Sequence, residues 1–106
     1  MNAERMKTFV TELQRGDQTH FTELYYMTVA GASVVAKKYL KSQEDMDDVL
    51  QEAYMVSLGR IRVKKPESYP SWLNQIVATR SLNMLRRKDP VMFSEMTAEE
   101  EDAANV

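Results

Sequence analysis

Five carboxylates stand between residues 43 and 55 (Glu44, Asp45, Asp47, Asp48 and Glu52) with no Lys or Arg among them. Carboxylates so close can hold a cation, move protons or pair with basic partners. Asp45, Asp48 and Glu52 follow steps of three and four, so they share one side of a helix. One helix cannot surround a hard cation, and no second carboxylate cluster is placed to face it. The chain has one His and no Cys, which leaves no zinc ligand set. A single His supports no nucleophile–base arrangement, and no phosphate-binding glycine pattern is present. Catalysis, metal and cofactor are not expected. Asp47, Asp48, Gln51, Glu52 and Met55 avoid the apolar stripe and form a polar outer face. Its default is a solvated helix start whose acids answer the helix dipole. The other option is a docking surface for a basic partner.

Between residues 60 and 88 the balance reverses. Arg60, Arg62, Lys64, Lys65, Arg80, Arg86, Arg87 and Lys88 stand against Glu67 alone. Such a stretch suits phosphate backbones, with binding that weakens steeply in salt, although a solvated basic face is an equal alternative. Residues 89–106 turn acidic again, with six acids and no base. The formal net charge of -2 hides this segregation, which concerns partners more than fold.

Helices must position these groups. The 106 residues are 43% hydrophobic and 28% charged, with 3 Gly and 3 Pro, too few turn-formers for a sheet protein. Met6, Phe9, Val10 and Leu13 mark a first helix over 2–15, ended by Gly16, with Asp17 as N-cap of the next. The second runs to about Lys41 along Phe21, Leu24, Tyr25, Thr28, Ala32, Val35, Ala36 and Tyr39. Gly31 inside it either costs up to about 1 kcal/mol or permits a close helix crossing. Ser42 caps the third, with Asp45 completing a short capping box. Met46, Val49, Leu50, Ala53, Tyr54 and Ser57 face inward, and the helix ends near Gly59. A basic loop with Pro66 precedes a fourth helix from Pro70 to Lys88. That helix carries Trp72, Leu73, Ile76, Val77, Leu82 and Leu85, and Asp89–Pro90 stops it. The rest is expected to be a disordered acidic tail. The fold class is all-α: a compact bundle of about four helices over 1–88 and a tail over 89–106. Trp72 and Tyr25, Tyr26, Tyr39 and Tyr54 are assigned to the core or its edge. The eight Met are read as gap-fillers.

Three stretches in order carry a family resemblance. They are Gly16-Asp17 with Phe21, Leu24 and Tyr25; Asp45-Met46-Asp47-Asp48-Val49-Leu50-Gln51-Glu52-Ala53-Tyr54; and Tyr69-xx-Trp72-Leu73-xx-Ile76, ending at Arg86-Arg87. Together, over about residues 8–88, they resemble the second conserved region of bacterial RNA polymerase sigma factors of the sigma-70 family. Without long insertions the chain looks like the compact extracytoplasmic-function (ECF) type. No region 4 helix-turn-helix domain is expected within these residues. Thr79 stands where the family usually has Asn, and Asn83 where it usually has Asp.

The resemblance implies a transcription initiation domain. Asp47, Asp48, Gln51, Glu52 and Met55 would dock on the clamp helices of the polymerase β′ subunit, with Gln51 and Glu52 as anchors. The loop from about Arg60 to Ser71 would capture a flipped base from the non-template strand of the minus-ten element. Tyr69 and the backbone around Lys65–Ser68 would form its pocket. Thr79, Arg80 and Asn83 would face the strand, and Arg60, Arg62, Lys64, Lys65, Arg86, Arg87 and Lys88 its phosphates. An anti-sigma factor is a further partner the family admits. With no signal peptide and no Cys, a cytoplasmic location is expected. Two alternatives are a sigma-like protein-interaction module without promoter activity and an unrelated helix-turn-helix protein that binds duplex alone.

Overall fold

The computed structural model describes residues 3–63 and 65–104, leaving aside the side chains of 63 and 98–104. Among the described residues five helices follow one another: α1 (Ala3–Gln14), α2 (Phe21–Tyr39), α3 (Gln43–Arg60), α4 (Tyr69–Lys88) and α5 (Pro90–Ala104). Two short 3-10 turns, Ile61–Val63 and Pro66–Ser68, bridge α3 to α4. No strand occurs among the described residues. The all-α class of the sequence analysis stands.

Helix α1 buries Met6, Phe9, Val10 and Leu13, the four residues its spacing picked out. It ends in a Schellman motif. The Asp17 N–H donates to the Glu12 carbonyl and the Gly16 N–H to Leu13, both at 2.9 Å. Gly16 takes φ 88° to make this possible, a conformation that costs a side-chain-bearing residue dearly. Asp17 was expected to cap α2 and does not. Its Oδ1 accepts the Thr19 N–H at 2.9 Å and the Thr19 hydroxyl, closing a local turn. Helix α2 starts only at Phe21, with His20 as N-cap. His20 stacks on Phe9, ring centroids 4.7 Å apart, and its Nδ1 lies 2.7 Å from Glu12.

Helix α2 buries Leu24, Thr28, Ala32 and Ala36, spaced by four, and packs against α3 and α4. The short side chains allow close approach. Gly31 is exposed, and a Cβ there would meet nothing within 4 Å, so it is not a crossing glycine. Helix α3 is capped as expected: Ser42 Oγ accepts the Asp45 N–H at 3.0 Å. It buries Val49, Leu50, Ala53, Tyr54 and Ser57. Two hydroxyl pairs tie it to its neighbours. Thr28 Oγ1 donates to the Leu24 carbonyl at 2.9 Å, leaving it free to accept the Tyr54 hydroxyl at 2.6 Å. Ser57 Oγ donates to the Tyr54 carbonyl at 2.8 Å and so accepts the Tyr69 hydroxyl at 2.9 Å.

Helix α4 buries Tyr69, Leu73, Val77, Ser81, Met84 and Leu85. Trp72, Ile76 and Leu82 are half-buried at its edges. Behind the loop, Gln14 Nε2 donates to the Ile61 carbonyl at 2.9 Å, so α1 holds the chain as it leaves α3.

The expected four helices with a disordered tail become five helices. Residues 90–104 are helical, and the sign was in the sequence. Asp89 Oδ1 accepts the Met92 N–H at 3.1 Å, the geometry of an N-cap, with Pro90 at the first helical position. The pair that stops α4 also starts α5. Met92, Phe93 and Met96 are half-buried, and α5 packs on α4.

Candidate polymerase and nucleic-acid interface

Capping and burial orient α3. With Val49, Ala53 and Tyr54 inside, Asp47, Asp48, Gln51, Glu52 and Met55 are all exposed. Gln43 Nε2 donates to Asp47 Oδ1 at 2.8 Å and steadies the first turns. Met55 is 66% exposed, unusual for a thioether side chain. Beside it a groove of about 510 Å³ runs between α2 and α3, lined by Phe21, Tyr25, Leu50, Gln51, Tyr54 and Met55 among others. Tyr25 and Tyr26 flank this region in edge-to-face contact, 5.4 Å apart, and Tyr26 is 71% exposed. Both were assigned to the core or its edge. Tyr26 stands two residues, about 200° around the helix, from buried Leu24 and so points away from the core, which is the signal that assignment passed over.

A second concavity, of about 260 Å³, lies between α3 and α4, lined by Val56, Arg60, Trp72, Gln75, Thr79 and Arg80 among others. Helical spacing by four puts Gln75, Thr79, Asn83 and Arg87 in one exposed stripe along α4. Gln75 was not among the expected contacts; the i, i+4 series through Thr79 and Asn83 contains it. Arg60 and half-buried Arg80 line the concavity, and Arg62, Lys65, Arg86 and Arg87 are exposed. Arg80 Nη1 stands 3.8 Å from Glu52 Oε2, so the two expected interfaces meet there.

Two expected contacts are placed differently. Tyr69 is 1% exposed and spends its hydroxyl on Ser57; burial pushes its phenol up from the usual value. It anchors the start of α4 from inside and offers no face to a base. The Tyr54 phenol, likewise buried, is pushed up to about 12. Lys88 donates to Asp45 Oδ1 at 2.6 Å, and that hydrogen bond raises the ammonium above its ordinary value. It ties the end of α4 to the start of α3. Lys64 lies outside the described residues. Among the described residues no cluster of three or more His, Cys, Asp or Glu side chains could hold a metal ion. No described helix is long and apolar enough to cross a membrane.

The family model for sigma-70 region 2 matches residues 33–91, more than half of the chain. The chain belongs to the sigma-70 region 2 family. The match takes in the acidic string on α3 and all of α4; the Gly16-Asp17 stretch precedes it. Comparison with curated proteins and with solved structures returned no significant match. The family is one of transcription factors and not of enzymes, whose domains bind RNA polymerase and recognise promoters.

Proposed function

We propose that this domain docks on the β′ clamp helices of core RNA polymerase through the outer face of α3, and that it recognises and helps open the minus-ten promoter element through α4 and the preceding loop. The carrying observation is the exposed row Asp47, Asp48, Gln51, Glu52 and Met55, inside the segment that matches the family. Glu52 offers a carboxylate to a basic partner, Gln51 both a donor and an acceptor. Met55 and the aromatic groove beside it supply apolar area.

On the other side, the cleft between α3 and α4 accepts one unstacked base of the non-template strand. Trp72 forms part of its wall, and Gln75 and Thr79 offer polar atoms to a base edge. Arg60, Arg62, Lys65, Arg86 and Arg87 hold phosphates without reading sequence. The short connections between the described helices support reading the domain as the ECF type. Binding energy is the whole mechanism; no bond is made or broken.

The test is capture of core polymerase, or of isolated β′ clamp helices, by this chain. Wild type binds, and Gln51→Ala/Glu52→Ala with unchanged helicity loses about tenfold or more. Equal capture by both proteins overturns the assignment of α3.

A further inference from the structure

A third cleft, of about 500 Å³, opens where the C-terminal ends of α2 and α4 meet the start of α3 and the first turns of α5. It plays no part in the function proposed above, lying at the opposite end of α3 from the Trp72 cleft. Leu40, Met84, Leu85, Met92 and Met96 supply its apolar lining. Methionine-rich linings repack around partners of varied shape. Lys37, Lys38, Lys41 and Lys88 also border it. Lys37 is exposed in the last turn of α2 and Lys41 is exposed in the loop that follows it. The two acids at the cleft are already engaged: Asp45 accepts from Lys88 at 2.6 Å, and Asp89 accepts the Met92 N–H at 3.1 Å. The result is an apolar trough with a positive edge.

We propose that this cleft binds an amphipathic helix of a partner protein, one carrying carboxylates beside its apolar stripe. Helix-in-groove docking uses an apolar face for affinity and flanking charges for orientation. Lys37, Lys38 and Lys41 at the rim answer the carboxylates of such a helix by charge. A nucleic acid would answer the lysines but leave the methionine lining uncovered.

Two synthetic peptides test it, both with leucines on one helical face, flanked in one by glutamates and in the other by lysines. Methyl resonances of the labelled methionines report the site. The acidic peptide should shift Met84, Met92 and Met96 saturably and leave Met55, on the far face, unmoved. Lys37→Glu/Lys41→Glu should weaken it about tenfold, and the lysine peptide should then bind that variant better than it binds wild type. The proposal is overturned if the acidic peptide leaves the three methyls unmoved, if both peptides bind wild type alike, or if duplex DNA shifts the same methyls equally well.

Discussion

Glu52 of α3 and Arg80 of α4 face each other at 3.8 Å, each side chain about half exposed, across the line that divides the two proposed interfaces. Held this loosely in water, the pair contributes little to the fold. Glu52→Gln and Arg80→Gln should each unfold within about 0.5 kcal/mol of wild type in urea. Their effects on binding should separate: Glu52→Gln weakens polymerase capture, Arg80→Gln weakens binding to single-stranded minus-ten DNA. A loss of several kcal/mol in folding from either change would show that the pair is structural.

Two glycines should respond to alanine in opposite directions. Gly31 is helical, exposed and open, so Gly31→Ala should stabilise by about 0.5–1 kcal/mol. Gly16 sits at φ 88°, so Gly16→Ala should destabilise by about 1–2 kcal/mol even though space is available. Chemical denaturation of both variants reads the sign directly.

Ser81 is fully buried on α4, and its hydroxyl has no hydrogen-bond partner. Such a group carries a desolvation cost with no return. Ser81→Ala should raise stability by about 1 kcal/mol. Tyr69→Phe removes the donor to Ser57 and should cost about 1 kcal/mol, measured in the same way.

His20 gives the fold a pH dependence. Its hydrogen bond to Glu12 raises its pKa above 6.5, and the nearby carboxylates of Glu12, Glu23 and Asp17 act in the same direction. A raised folded value means the proton is held more tightly in the native state. The contribution is fully present below 6.5, the unfolded value, and is lost as pH rises through the higher folded one. Thermal melts of wild type should therefore show stability falling across that window, and His20→Gln should flatten the fall. An unchanged slope in the variant would assign the pH dependence to other groups.

Much of this was legible in the residues. The stripe of α1, the Ser42 cap and the inward face of α3 follow from apolar spacing and one hydroxyl, and the structure repeats them. The acidic row on α3 was legible for the same reason: a helix that buries Val49 and Ala53 must expose Asp48 and Glu52. What was missed depends on tertiary context. Tyr69 looks like a loop aromatic until Ser57, twelve residues earlier, receives its hydroxyl. Lys88 looks like one more phosphate contact until Asp45, 43 residues earlier, takes its ammonium. The α5 start was a local signal misassigned, because Asp-Pro after a basic helix end reads equally as a stop. Tyr26 and Gln75 were missed by treating residue types singly instead of by angle around the helix.

The two buried tyrosine hydroxyls act on α3 as a pair of locating pins, Tyr54 seated on Thr28 of α2 and Tyr69 of α4 seated on Ser57. With one pin toward each neighbour, α3 cannot roll about its axis without unseating both. The angular phase between its proposed polymerase-docking row and its cleft-facing row is thereby set. A partner that turned the helix would have to break both bonds, whereas the short gap from Glu52 to Arg80 links the two rows by charge without moving the backbone.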